Sequence, residues 1–105
     1  MKIDFLEPWV AVGEYAGNLV LELQREISEG HVLWMRTVQP VAQRSDSDEV
    51  LFEVDGQPLS YAVVHLTWSG ESERDSRWPD TRMYPTIEEW IRDGMMSDHR
   101  EVMGS

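Results

Sequence analysis

Residues 61–68 read Tyr-Ala-Val-Val-His-Leu-Thr-Trp and form the most apolar run of the chain. β-Branched and aromatic side chains favour strands, and here apolar residues occupy both alternating faces of the run. We therefore expect a central β-strand from Tyr61 to Trp68 that is covered on at least one side.

Two further strands are predicted upstream of this run. Apolar residues alternate through residues 31–38, which indicates a strand that Pro40 ends or bulges. Residues 50–54 alternate in the same way and indicate a second strand. The dipeptide Asp55-Gly56 that follows is typical of a tight hairpin, because glycine accepts the positive φ of such a turn.

Downstream of the run, the pattern predicts a loop, an edge strand and a helix. Residues 69–80 are polar and irregular and are expected to form an exposed loop, after which residues 82–84 can add a short edge strand. The tetrapeptide Thr86-Ile87-Glu88-Glu89 fits a capping box and predicts the start of a helix. Gly94 is expected to end that helix, and the remaining residues are expected to form a loose tail.

The N-terminal part of the chain predicts an amphipathic helix. Between Trp9 and Glu29, apolar residues recur at spacings of three and four, as on one face of a helix. Glycines in the first turns place the true start nearer Glu14. Gly30 stands where a left-handed cap would end the helix.

Together these elements predict an α+β fold. We expect a three- to four-stranded antiparallel meander that packs against an N-terminal and a C-terminal helix. The 105 residues are the size of one domain, 1–105, with an ordered core from about residue 9 to residue 95.

Composition excludes several classes of function. The chain has no cysteine, which excludes disulfides, thiolate nucleophiles and cysteine-ligated metal sites. Its 20 acidic and 9 basic residues give a net charge of −11, which repels phosphate backbones and makes nucleic acid an unexpected partner. No apolar run approaches the ~20 residues of a membrane span, and the first residues do not resemble a secretory signal. We therefore expect a cytoplasmic protein that binds neither nucleic acid nor membranes.

No nucleotide-binding, nucleophile-elbow or metal-binding motif occurs, so we expect no cofactor and no metal. The weak catalytic candidates are His65, in the middle of the predicted strand, and two carboxylates of the following loop, Glu71 and Glu73. A shared face with Arg36 or Glu53 would give His65 a charged neighbour. A histidine that only packs on a half-buried sheet is the more common case.

Five tryptophans in 105 residues are many, and they carry the second set of candidates. Trp34, Trp68 and Trp90 fall on predicted apolar faces and are expected in the core. Trp9 and Trp78 lie beside prolines in less regular chain. Exposed aromatic and arginine side chains dominate protein-binding hot spots, so the candidate partner-binding residues are Trp78, Arg74, Arg77, Arg82 and Trp9. The alternative for Trp78 is that it pins the loop to the core.

Three strings of the chain occur together in a known group of proteins. They are Asp48-Glu49-Val50-Leu51-Phe52, Val63-Val64-His65-Leu66-Thr67-Trp68-Ser69-Gly70 and Trp78-Pro79-Asp80-Thr81. On these strings the chain resembles small uncharacterised bacterial proteins with a D-[DE]-V-L-F stretch, a V-V-H-L-T-W-S strand and a W-P-x-T motif. The resemblance implies one bacterial soluble domain and supplies no catalytic residue.

Three functions remain open from the sequence. The first is a non-enzymatic module that binds a basic protein, as an immunity or inhibitor protein covers a toxin, with the acidic charge speeding encounter. The second is a small enzyme with a site around His65 and the following loop. The third is a structural homo-oligomer that associates through an open strand edge. The oligomeric state is expected to be monomer or homodimer.

Overall fold

The computed structural model describes residues 3–14, 16–72, 75 and 77–104. Its strands are β1 (Trp9–Ala11), β2 (Val38–Arg44), β3 (Glu49–Val54), β4 (Ser60–His65) and β5 (Thr81–Tyr84). Its helices are α1 (Ala16–Glu26), α2 (Ile87–Trp90) and α3 (Met96–Gly104), and a π-helical turn (Ile91–Met95) joins the last two.

The five strands form one antiparallel sheet in the order β1-β2-β3-β4-β5. Strand β4 lies inside the sheet, with β3 on one side and β5 on the other, and residues 61–64 are buried. The predicted α+β class, the antiparallel meander and the covered central strand are therefore confirmed. The predicted number of strands was three to four, and the sheet has five.

Both faces of the sheet are covered, by different elements. One face packs against α1 and the turn after it, with a core of Leu19, Leu23, Ile27, Leu33, Val50, Phe52, Val54, Ala62, Val64 and Leu66. The opposite face packs against the C-terminal helices, with a core of Trp9, Ala42, Leu51, Tyr61, Val63, Ile87, Trp90 and Met95. Alternate residues of a strand point to opposite faces, so the unbroken apolar run of β4 supplies both cores.

The two elements that differ most from the sequence prediction flank α1. The predicted helical pattern included residues 9–11, with the true start nearer Glu14, but these residues pair with β2 as an extra strand. Residues 31–37 were expected to be a strand, but they form consecutive turns, with Trp34 N bonded to the His31 carbonyl and Arg36 N to the Leu33 carbonyl. Only His31 and Leu33 are buried in this segment, so the alternation reflects two inward side chains rather than a paired strand.

The C-terminal helix continues where the sequence predicted that it would end. Its start is confirmed, because the Thr86 hydroxyl accepts the Glu89 amide at 3.1 Å. Gly94, however, lies within the π-helical turn, and residues 96–104 are helical rather than a loose tail. A Cβ on Gly94 would lie 2.7 Å from Cδ1 of the buried Trp90. The glycine therefore permits a close approach to the indole and does not cap the helix.

Strand β4 is also shorter than predicted, because the neighbouring strands β3 and β5 do not extend beside residues 66–68. The His65 amide bonds to the Asp80 carbonyl and the Leu66 amide to the Asp48 carbonyl, and the strand ends there. Residues 66–80 then form the connection to β5, here called the β4–β5 loop.

Two glycine substitutions test whether Gly94 is needed for the close approach of the helix backbone to Trp90. We expect Gly94→Ala to lower the free energy of unfolding by about 1–3 kcal/mol, because the new methyl overpacks the core against Trp90. Gly17→Ala in α1 meets no atom within 4 Å and should raise it by about 0.5–1 kcal/mol. Urea unfolding of both variants measures the difference. Equal effects of the two substitutions would contradict the close approach.

Candidate functional site

Two buried carboxyl groups of α1 hold the start of the β4–β5 loop. Glu26 is 0% exposed and accepts the amides of Thr67 at 2.8 Å and Trp68 at 2.7 Å. Glu22, one helical turn earlier and 3% exposed, accepts the amide of Gly70 at 3.0 Å. Because a buried carboxyl is costly unless its oxygens are bonded, these amides are what permits both residues to be buried.

The pKa values of the two hydrogen-bonded carboxyl groups shift in opposite directions. The pKa of Glu26 is raised to about 7, because burial and then the hydrogen bond with Glu22 raise it by more than the Thr67 and Trp68 amides and the Thr67 side chain lower it. The pKa of Glu22 is lowered, chiefly by the hydrogen bond from Glu26. In a water-excluded position two adjacent carboxylates repel each other, so the pair is most stable as one carboxylic acid and one carboxylate.

His31 holds the other end of the same loop. Its Nδ1 accepts the Leu33 amide at 3.0 Å, so the ring proton resides on Nε2. Nε2 lies 3.0 Å from the Pro79 carbonyl oxygen and 3.1 Å from the Thr81 hydroxyl, which itself donates to Pro79 at 2.8 Å. The ring is 5% exposed and has a partner at each nitrogen. His31 is therefore a structural bridge between the turn after α1 and the end of the loop.

Two of the strings that carry the resemblance coincide with these anchor points. Thr67, Trp68 and Gly70 are bound by α1, and Pro79 and Thr81 are bound by His31. The strings therefore have a local physical role, which is to fix both ends of the β4–β5 loop against α1 and the turn that follows it.

The anchored loop presents Trp68 at the surface. Its side chain is 48% exposed, although the sequence predicted it in the core. Its φ is +58°, a left-handed conformation that is uncommon for a bulky residue. The indole lines a groove of about 420 Å³ with Asn18, Leu19, Leu21, Arg25 and Gln43. This groove, here called the Trp68 groove, is within the size range of small-ligand and side-chain pockets.

Trp78 and its neighbouring arginines lie at the far end of the loop. Trp78 is 49% exposed, as the sequence predicted for a partner-binding residue. Arg77 is 85% exposed at its side chain but is held by Asp75, with a contact of 2.6 Å. It borders a second groove of about 380 Å³, which is also lined by His31, Val32 and Thr81. Arg74 lies outside the described residues.

Two more apolar side chains are exposed in the turn after α1. Trp34 is 41% exposed, contrary to its predicted core position. Met35 beside it is 85% exposed and has a φ of +62°. Trp34, Trp68 and Trp78 are here called the exposed tryptophans.

Arg82 and Trp9, the remaining partner-binding candidates, belong to a polar network on the opposite face of the sheet. Arg82 contacts Glu49 at 2.7 Å, and Arg44 joins Glu49 at 3.2 Å to Asp98 of α3 at 3.5 Å. The Trp9 indole donates to Asp98 at 2.9 Å. The prediction of an exposed Trp9 is wrong, because the side chain is 1% exposed and fixes α3 to the sheet.

The catalytic candidates do not assemble into one site. His65 is exposed at the last position of β4 and pairs with Glu49. Arg36 donates to the Asp55 carbonyl, beyond the other end of β3. The five residue steps from Glu49 to Val54 correspond to about 17 Å at ~3.4 Å per step, so His65 and Arg36 are far apart.

The described residues give no contact of the predicted loop carboxylates with His65. Glu71 is exposed, and its backbone bonds to the Ser69 hydroxyl. Glu73 lies outside the described residues. Glu53 pairs with Tyr61, at the end of β4 away from His65.

The residues that sequence reasoning missed are Glu22 and Glu26. Each immediately precedes an apolar contact residue, Leu23 or Ile27, and the two are spaced i, i+4 on one side of α1. That position beside the apolar stripe is the only signal in the sequence, and it also fits an ordinary surface carboxylate.

The described part of the chain contains no cluster of three or more histidine, aspartate or glutamate side chains arranged to hold a metal ion. Of the helices described, none has the length and apolar character needed to cross a membrane. Comparison with protein-family models, with curated proteins and with solved structures gave no match.

The shared proton predicts how stability depends on pH. The unfolded chain ionises Glu26 near its ordinary value of 4.5, whereas the folded protein keeps the proton up to about pH 7. The stabilisation from this proton is therefore complete below about pH 4.5 and is lost as the pH rises towards 7, with a limiting slope of about 1.4 kcal/mol per unit. Glu26→Gln resembles the protonated acid at every pH, so its stability should lack this decline.

Urea unfolding between about pH 5 and about pH 8 measures this difference. Glu29→Gln, an exposed carboxylate near the same helix end, is the matched control and should retain the wild-type slope. Parallel curves for wild type and Glu26→Gln would refute the shared proton.

A second variant tests the bridge at the other end of the loop. His31→Ala leaves the Leu33 amide and the Pro79 carbonyl without their partner, so the free energy of unfolding should fall by about 2–3 kcal/mol. His65→Ala, at an exposed histidine, is the control and should change stability by less than about 0.5 kcal/mol. Thermal or urea unfolding at one pH distinguishes them. An equal loss in the two variants would contradict the assignment.

Proposed function

We propose that this chain is a non-enzymatic protein-binding module that recognises a basic partner protein. The observation that carries the proposal is the presentation of the exposed tryptophans on segments that are hydrogen-bonded to the buried side chains of Glu26 and His31. Tryptophan supplies large contact area at low entropic cost, and a fixed loop loses little freedom on binding. Hydrogen bonds that fix the backbone before binding are typical of a preorganised binding surface.

The charge distribution supports a basic partner. Among the residues that the structure describes, the arginines nearest the loop are already paired: Arg77 with Asp75, Arg82 with Glu49 and Arg25 with Glu22. They neutralise their own neighbours and leave the large acidic excess of the chain in place. Such an excess accelerates encounter with a cationic surface and disfavours nucleic acid.

The remaining parts of this proposal follow from the sequence. The resemblance to small bacterial proteins supports a bacterial module, and we propose that it acts in the cytoplasm as an immunity or inhibitor protein that covers a basic toxin. The module would act as a monomer or homodimer and without a cofactor. The dispersed positions of His65 and Arg36 favour binding over catalysis.

The experiment compares capture of proteins from a host lysate by the wild-type chain, Trp68→Ala and Trp78→Ala. Captured proteins are repurified, and their affinities are measured by calorimetry. We expect a partner with an alkaline isoelectric point whose Kd rises about 30-fold in at least one variant, as for a hot spot of about 2 kcal/mol. Its association rate should fall as ionic strength rises.

Met103→Ala is the matched control, because Met103 is an exposed apolar residue on α3, away from the loop. It should bind as the wild type does. An acidic partner, a salt-independent association rate, or equal binding by the tryptophan variants and the control would overturn the proposal.

A further inference from the structure

We propose that Glu22 and Glu26 form a proton-operated latch, which holds the start of the β4–β5 loop on α1 while the pair shares one proton and loosens it when both are ionised. The proposal deepens the proposed function and rests on it for its biological use, since the loop carries Trp68. The release itself is a property of the free protein and can be measured without a partner.

The geometry concentrates the attachment of the loop on this pair. The amides of Thr67, Trp68 and Gly70 all point at the two carboxyl groups, at 2.7–3.0 Å for the shortest contact of each. Within the described residues, the Thr67 side chain also bonds to Glu26, and the contact from the Ser72 hydroxyl to the Arg25 carbonyl is exposed. The attachment of residues 67–70 therefore depends on the state of two side chains.

Few other charges face the pair from the described residues. Arg25 lies 3.9 Å from Glu22, but its side chain is 60% exposed, so water screens it. Residues of β3 and β4 that face α1 at this end are apolar, whereas Glu49 and His65 lie on the opposite face of the sheet. Glu71 of the loop and Glu29 beyond α1 are exposed. If both carboxyl groups of the pair are ionised, little buried positive charge offsets the repulsion between them.

Two structural features favour movement once the latch is charged. Trp68 has a φ of +58°, a left-handed conformation that is unfavourable for a bulky residue, so release of the loop allows this backbone strain to relax. Trp68 and Arg25 also line the Trp68 groove, so movement of the loop alters that groove directly. Ionisation of the pair therefore couples to the shape of the proposed binding surface.

Hydrogen exchange of the Thr67, Trp68 and Gly70 amides tests the latch in the free protein. After correction for intrinsic exchange, their protection should fall up to about tenfold per pH unit between about pH 5 and about pH 7 and then level off. Amides of β3 and β4 should keep their protection over this range.

Variants separate the latch from general loosening. Glu26→Gln removes the group whose pKa is raised and should abolish the pH dependence of the three amides, whereas Glu22→Gln leaves Glu26 buried and should weaken the dependence without abolishing it. Glu29→Gln should retain it. A protection that is constant with pH in the wild type, or a decline that is unchanged in Glu26→Gln, would overturn the latch.

The outcomes also separate this inference from the proposed function. Protection of the three amides that is constant with pH, together with partner binding that depends on Trp68, would remove the latch and leave the binding module. A working latch together with normal partner binding by Trp68→Ala and Trp78→Ala would remove the proposed binding surface and leave the latch.

Discussion

The amides of Thr67 and Trp68 leave the sheet with no strand to pair with, and the buried carboxyl of Glu26 receives both. This contact determines where β4 ends, because the chain turns towards α1 at that point. It also explains why α1 buries two acidic residues beside its apolar stripe. Unbonded amides and an unbonded carboxyl would each be costly in this position, so the contact is mutual.

A second polar network performs the corresponding task on the other face. Arg44 bridges Glu49 of β3 and Asp98 of α3, and the Trp9 indole bonds to the same Asp98. Trp9 also packs edge-on against Trp90 at a centroid distance of 5.2 Å. The C-terminal helix thus continues beyond Gly94 because residues distant in sequence give its second half a polar partner on the sheet.

These two networks divide the molecule into a supporting side and a presenting side. On the C-terminal side, tryptophan side chains are buried and the charged groups of the network are paired. On the α1 side, the loop and the turn after α1 leave tryptophan side chains half exposed. Recognition surfaces commonly contain apolar side chains that are exposed to water while their backbone is fixed by hydrogen bonds.

Local patterns in the sequence determined β3, β4, the edge strand β5 and the start of α2, because alternation and a capping box are properties of neighbouring residues. They also determined that β4 is central, since both of its faces are apolar. The same alternation failed at residues 31–37, where only His31 and Leu33 point inward and no strand lies alongside.

Tertiary structure alone decided the candidate site. Glu22 and Glu26 meet amides that are 41–48 residues away in sequence, and His31 meets Pro79 at a separation of 48. A periodic pattern reports which side of a local element avoids water, but it does not report which distant segment covers that side. Whether a glutamate is solvated or buried, and whether a tryptophan is in the core or at the surface, depends on that second segment.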